Sequence, residues 1–265
     1  MILREAKIDE VKRIQISILD EIDDFCKKEN IRYFLIAGTL LGAVRHKGYI
    51  PWDDDIDICM PRIDYEKFLN KFNGETTSII NSINNKDFFY PFTKVTKNYT
   101  ITKEKCRFSK QLGINIDVFP IDNIPDGEKK RKKFFKKIRR YRNLVGRITC
   151  WPDNNFFKKI LYIPYFVIHG FVSRSFCIKK INKIASKYKN NNTKLMGNCL
   201  CGIDMKEAVQ SKCFDNTVYL EFEGKKYPCP IGYNEWLSSR YGYYMELPPV
   251  NERVTHHLRK DFVIE

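Results

Sequence analysis

Apolar residues recur at three- and four-residue spacings through Ile8, Val11, Ile14, Ile18, Ile22 and Phe25, with acids and lysines between them, which predicts an amphipathic helix early in the chain. The run at residues 33–37 (YFLIA) is short and continuously apolar, and predicts a buried strand that turns sharply at Gly38-Thr39. A patch of Leu40, Leu41 and Val44 follows, broken by Gly42. Beyond Pro51, residues 55–60 (DIDICM) alternate polar and apolar with period two, the pattern of a strand with Asp55 and Asp57 on one face. Tyr65, Phe68, Leu69 and Phe72 predict a helix, residues 73–85 a loop, and residues 91–102 strand pairs. Ile114, Ile116 and Val118 alternate with Asn115, Asp117 and Phe119, a further strand that turns Asp117 to its polar face. Residues 128–147 read as a highly basic helix and 153–189 as a second helical region, more apolar at its centre. A loop at 189–194, a hairpin over 217–227 turning near Glu223-Gly224, and a short helix over 234–241 complete the pattern.

Composition narrows the class. With 265 residues, 43% of them hydrophobic and 30% charged, the chain can bury a sizeable core, which excludes collagen-like, low-complexity and disulfide-scaffold proteins. The net charge of +15 is concentrated: residues 129–190 hold 19 lysines and arginines against one acid, Asp153, and the remainder is slightly acidic. Nine cysteines, an odd number, and a charged N-terminal stretch point to a reducing cytoplasmic setting without structural disulfides. The nearest candidate for a membrane span, residues 160–178, is interrupted by Pro164, His169 and Arg174, and fits an interfacial segment better. The basic helix carries an apolar stripe of Phe134, Phe135, Ile138 and Leu144. Both features suggest a peripheral protein lying on an anionic membrane surface at its inner face, since basic residues near such a surface are each attracted by about 1 kcal/mol. Nucleic-acid binding and a solvated charged face are the alternatives; no RNA-binding module accompanies the charge, so no nucleic acid is expected.

The candidate chemistry lies in Gly38-Thr39, the acids Asp55 and Asp57, and Asp117 on a later strand. Two carboxylates on alternate strand positions can hold Mg²⁺ or Mn²⁺, and a third from a neighbouring strand completes the oxygen set. Such a site stabilises charge at a reacting phosphorus, which points to phosphoryl or nucleotidyl transfer. A glycine ahead of the acids lets backbone approach a phosphate. The run of residues 51–57 (PWDDDID) places four acids beside an aromatic, a costly concentration unless cations neutralise it.

Residues 38–64 (GTLLGAVRHKGYIPWDDDIDICMPRID) closely resemble the signature of the LicD family, which includes the fukutin-related proteins and belongs to the nucleotidyltransferase superfamily. Residues 115–122 (NIDVFPID) resemble the family's later acidic strand and residues 234–249 its C-terminal motif. The resemblance implies an α/β fold, a nucleotidyltransferase-like mixed sheet flanked by helices, with a basic helical insertion and a small C-terminal helical part. It divides the chain into a catalytic core over 1–127, the basic segment over 128–195, and a part over 196–265 that completes the catalytic domain. It implies transfer of a phospho-alcohol or phosphosugar, phosphocholine foremost, from a cytidine-diphosphate-activated donor to a hydroxyl of a glycan or its lipid-linked precursor. Asp55, Asp57 and Asp117 then match the metal-binding acids, and Arg45 and His46 the family's Arg-His pair, suited to donor phosphate or to deprotonating the acceptor.

Lys94 is a further candidate for phosphate or for solvated surface, and Trp52 for stacking on a base or for packing under the acids. Cys199 and Cys201, followed by Cys213 and Cys229, match zinc spacing poorly and read as buried thiols. Tyr233, Trp236, Tyr241, Tyr243 and Tyr244 suit either core packing or an aromatic cage for a choline cation. A glycosyltransferase holding a sugar nucleotide through its D-x-D is the alternative enzyme, although its acids would ordinarily follow a longer nucleotide-binding half than the 54 residues ahead of Asp55.

Overall fold

The computed structural model describes residues 3–103, 112–149, 173–200, 205–254 and 260–264. Strand β1 (Leu3–Glu5) leads into helix α1 (Ile8–Glu29), which buries Val11, Ile18, Leu19, Ile22 and Cys26 along the face its apolar period defines. Asp9 and Glu10 in its first turn and Lys27 and Lys28 in its last complement the helix dipole. Asn30 ends it in the left-handed region at φ 50°, as a C-terminal cap. Strand β2 (Phe34–Leu35) is shorter than the apolar run predicts. Ala37 turns at φ 53° and opens helix α2 (Ala37–His46), so Gly38 and Thr39 occupy a helix's first turn rather than a strand's end. Gly42 interrupts the pattern but not the helix: a Cβ there would lie 2.4 Å from the Gly48 carbonyl oxygen, so its absence lets the following loop fold back onto α2.

The acid loop then runs into β3 (Asp57–Pro61), and helix α3 (Arg62–Lys71) follows. The predicted loop at 73–85 contains a strand, β4 (Thr77–Ile80), too short and too polar in its flanks to announce itself. After β5 (Thr93–Lys97) and β6 (Thr100–Lys103) comes the long β7 (Asn115–Ile124). Helices α4 (Glu128–Thr149) and α5 (Arg174–Ala185), strands β8 (Leu195–Gly197) and β9 (Val209–Gln210), the hairpin β10 (Thr217–Phe222) and β11 (Lys225–Pro230), helix α6 (Tyr233–Tyr241) and β12 (Lys260–Ile264) complete the described elements.

The main sheet is mixed and ordered β2-β3-β7-β5-β4, with β3 parallel to β7 and the other neighbours antiparallel. Beyond Ile121, β7 continues past β3 and pairs through Asp122–Ile124 with β8, which in turn pairs with β9. A separate antiparallel sheet, β1-β12-β6, ties the two ends of the chain to its middle. At the far end of β3, Arg62 donates from Nε and Nη2 to both carboxylate oxygens of Asp122 (2.7 and 2.6 Å), a fully buried bidentate pair that joins α3 to β7. The chain is thus a mixed α/β protein, with α1, α3 and the α4–α5 pair packed against its sheet.

The basic helix forms as its period predicts, but its apolar stripe faces inward. Phe134, Phe135 and Ile138 are buried in the same core as the sheet, packed with Cys177, Ile178, Ile181 and Ala185 of α5. The reading of that stripe as a lipid-facing surface is therefore corrected: the chain's own α5 covers it, and what remains exposed is cationic. Of the candidate interfacial segment, residues 160–172 lie outside the described residues, and Cys177 and Ile178 at its end are core residues. No described helix is long and apolar enough to cross a membrane.

Candidate active site

The register of the sheet assembles the predicted acids. Asp57 of β3 pairs with Asp117 of β7, and Asp117 pairs on its other side with Lys94 of β5, so the three side chains form a row on one face across three adjacent strands. Lys94 donates from Nζ to Asp117 Oδ1 (2.5 Å) and to Asn115 Oδ1 (3.1 Å), and lies over the ring of Tyr90. Thr39 reaches across from the first turn of α2: its Oγ1 accepts the Asp57 backbone N–H at 2.8 Å and so fixes the start of β3. The buried Gln15 of α1 donates from Nε2 to the backbone carbonyls of Asp54 and Asn115, and the Tyr49 hydroxyl donates to Gln15 Oε1. Gly38 faces Asp53 so closely that a Cβ would stand 2.4 Å from Asp53 Oδ2. The glycine thus makes room for a carboxylate of the chain itself.

Asp53, Asp54 and Asp55 each bring a carboxylate oxygen within 4.8 Å of the others. Among the described residues this is the one group of three acids, histidines or cysteines placed to share a cation. Burial, then the charge of Asp55 and its hydrogen bond, push the Asp53 carboxyl up to about 7. Burial raises Asp57 well above the ordinary carboxyl range, with Asp55, Asp117 and Asp53 adding repulsion that Lys94 only partly offsets. These carboxylates repel one another in a partly desolvated setting, a condition that a divalent cation relieves. An all-oxygen set of this kind fits Mg²⁺ or Mn²⁺ rather than a soft metal.

A cavity of about 560 Å³ opens beside the acids. Gly38, Leu41 and Arg45 of α2, Ile50, Trp52 and Asp53 of the acid loop, and Tyr241, Tyr243, Tyr244 and Glu246 of the C-terminal segment line it, with Pro248 and Glu252 beyond. Arg45 closes one wall by donating from Nη1 to the carbonyls of Tyr244 (2.8 Å) and Glu246 (3.1 Å). Its Nε donates to His46 Nε2 at 2.9 Å, and His46 packs edge-on against Trp52. Partial burial and the Arg45 charge both lower the His46 imidazole, keeping it neutral and able to accept that bond. Arg253 lies over the Trp52 ring. Desolvation raises the Tyr241 phenol, Arg240 opposes the rise, and the charges of Asp57 and Asp53 add to it, which sets this ring in the field of the acids.

Residues 30–145 match the family described as "LicD/FKTN/FKRP, nucleotidyltransferase domain". Over 274 aligned positions, covering 99% of this chain and all of the relative, the sequence is 30% identical to the lipopolysaccharide cholinephosphotransferase LicD of Haemophilus influenzae. The chain belongs to the LicD family. It is therefore a transferase of phosphorus-containing groups. An uncharacterised protein of Rickettsia prowazekii is 42% identical over 168 residues, 58% of this chain and 49% of its own. Another, of Rickettsia typhi, is 30% identical over 130 residues, 48% of this chain and 40% of its own.

In this LicD chain the structure brings Asp55, Asp57, Asp117, Lys94, Gly38 and Thr39 to one site, with Arg45 and Trp52 in the wall of the adjoining cavity and His46 behind them. It adds Asp53 and Arg253, which sequence reasoning did not single out as site residues, and it places Tyr241, Tyr243 and Tyr244 of the aromatic group in the cavity wall. Asp53 was visible in the acid run, but the period-two pattern drew the choice to Asp55 and Asp57. Of the cysteines, Cys199, Cys213 and Cys229 are buried free thiols, and burial pushes Cys213 and Cys229 up to about 12. Cys201 lies outside the described residues.

Proposed function

We propose that this chain transfers phosphocholine from a cytidine-diphosphate-activated donor to a hydroxyl of a lipopolysaccharide-type glycan or its lipid-linked precursor. The observation that carries the reading is the row of acids at the mouth of an aromatic cavity, in a chain aligned end to end with a lipopolysaccharide cholinephosphotransferase. A nucleotidyltransferase-like core is the arrangement we assign to the mixed sheet, since β3 and β7 present Asp57 and Asp117 in parallel register.

The converging acids Asp53, Asp54 and Asp55, with Asp57 and Asp117 on the adjoining strands, would supply the carboxylates that hold Mg²⁺ or Mn²⁺. The bound cation supplies charge neutralisation at the donor's diphosphate. The chain's own groups do the rest. Lys94 holds Asp117 in place and adds a positive charge next to the acids. Arg45, fixed by His46 and by two carbonyls, shapes the donor-side wall as a cation that no accessible pH removes. The acceptor oxygen attacks the phosphorus that bears choline, the bond from that phosphorus to the bridging oxygen breaks, and cytidine monophosphate leaves. The acceptor's proton passes to a carboxylate of the site. The exposed cations of α4 would meet an anionic membrane surface that carries the acceptor.

The test is product analysis with a choline-bearing cytidine diphosphate donor, Mg²⁺ and a lipopolysaccharide acceptor. Wild type should release cytidine monophosphate in step with choline incorporation, and Asp55→Asn or Asp57→Asn should lose at least ~100-fold in kcat, as expected when a group acting on the transition state is removed. Release of a nucleoside diphosphate with sugar on the acceptor would make the protein a glycosyltransferase instead.

A further inference from the structure

We propose that the cavity between the acid loop and the C-terminal segment is a binding site for a quaternary ammonium group, the choline end of the donor, held by Trp52, Tyr243 and Tyr244 with Glu252 as counter-charge. The assignment rests on the phosphocholine reading and adds which residues select the alcohol.

A trimethylammonium group neither donates nor accepts conventional hydrogen bonds, so a protein recognises it by aromatic faces and nearby negative charge. The cavity offers both. Trp52 comes from one end of the chain and the three tyrosines from the other, and carboxylates of Asp53, Glu246 and Glu252 share the lining. The Arg253 guanidinium lies over the Trp52 ring, 5.5 Å from the centroid, and covers that face of the indole, so a ligand ammonium would use the rest of the ring. Arg253 is itself anchored, its Nε donating to the Pro248 carbonyl at 2.9 Å, which sets the Pro248–Pro249 edge of the cavity against the indole. Tyr244 is positioned from behind by its hydroxyl, which donates to Asn234 Oδ1 at 2.8 Å, while its carbonyl accepts from Arg45. The ring is thus oriented before any ligand arrives, and a preorganised cage loses less entropy on binding.

Position supports the same assignment. Gly38 and Asp53 belong both to the cavity lining and to the acid site, so a group seated in the cavity is a neighbour of whatever the acids hold. Choline joins its ammonium to phosphate through two carbons, and the cavity volume of about 560 Å³ accommodates that head with room to spare. A nucleobase, the competing occupant, would need donors and acceptors matched to its edge, whereas apart from the Arg45 guanidinium, whose Nε and Nη1 are engaged with His46 and two carbonyls, the lining side chains are aromatic, aliphatic and carboxylate.

Saturation-transfer NMR with choline chloride as the probe, in the absence of donor, reads the site without requiring turnover. The choline methyl signal should be present with wild type. It should weaken roughly fivefold or more in Tyr243→Ala and in Trp52→Leu, in line with the loss of one cation–π contact, and fall severalfold in Glu252→Gln. Tyr243 is 88% exposed, so its removal leaves the core untouched. The signal should also survive saturating cytidine monophosphate. No methyl signal in an enzyme that transfers phosphocholine, an undiminished signal in all three variants, or displacement of choline by cytidine monophosphate would overturn the assignment. Choline binding by these residues without any phosphocholine transfer would instead sink the reaction we propose and leave the cage standing.

Discussion

Asp53 meets two demands at once. It must sit against Gly38 in a partly buried loop, and it must remain close to Asp55; burial first, then the Asp55 charge, raise its carboxyl to about 7. An unfolded aspartate titrates near ~4, so between these values the folded chain binds more protons than the unfolded one. Stability of the metal-free protein then falls as pH rises through that window. Screened by the remaining solvent contact, the effect should be on the order of 2 kcal/mol. Metal-free protein should melt higher at pH 5 than at pH 8, Mg²⁺ should raise the melting point more at pH 8, and Asp53→Asn should flatten both responses. Identical pH profiles for wild type and Asp53→Asn in calorimetry would remove Asp53 from the cation site. The role of this residue was only half legible in the sequence. A period-two rule assigns Asp55 and Asp57 to one face of a strand and passes over Asp53, yet the strand begins only at Asp57, and the three preceding acids converge because a turn closed by the Asp53 N–H to the Ile50 carbonyl gathers them.

At the scale of elements, legibility follows locality. Helix α1, strand β7 and the β10–β11 hairpin announce themselves through period and turn residues, and they form where those signals fall. Helix α2 does not, because its residues read as the end of one apolar run and the start of another. Its cause is tertiary, in the Thr39 bond to the Asp57 N–H and the approach of the Gly48 carbonyl to Gly42. Helix α4 shows the converse: its period is plain, but which surface covers its apolar face is decided by α5, far along the chain. With Phe134, Phe135 and Ile138 buried, Lys129, Lys130, Lys132, Lys133, Lys136, Lys137, Arg139 and Arg140 remain on the exposed side. Attraction to a membrane would then be electrostatic, without an apolar anchor from this stripe. Flotation with anionic vesicles should be strong at low salt and almost abolished near ~1 M, where the screening length shrinks to about 3 Å. Replacing six of these residues by glutamine should abolish it at every salt concentration. Equal flotation of the two proteins, or flotation that withstands salt, would refute a purely electrostatic contact.

For the molecule as a whole, the site is a junction between chain segments far apart in sequence, which explains why its cavity was the least legible feature. Acids come from residues 53–57 and 117, and the roof from residues 241–252. Nothing local to either segment specifies their meeting. Fastenings between them do, among them the Arg45 clamp on the Tyr244 and Glu246 carbonyls, and the tip of the β10–β11 hairpin, where Glu223 Oε1 accepts the Tyr49 N–H at 3.0 Å and the Glu223 N–H donates to the Lys47 carbonyl. The second fastening depends on Gly48, since a Cβ there would stand 2.2 Å from Glu223 Oε1 and drive the carboxylate off. Glu223→Ala and Gly48→Ala should each cost about 1 kcal/mol, the usual worth of one hydrogen bond. The double variant should cost little more than either alone, because once the carboxylate is gone the added methyl meets nothing there and there is no second bond to lose. Each should also raise the KM for the donor while leaving kcat nearly unchanged, as the loop that follows carries Trp52 and Asp53 into the cavity. Strictly additive losses in urea unfolding would show that Gly48 and Glu223 act independently, and would leave the Arg45 clamp and the Arg253 contact with Trp52 to join the two halves of the site.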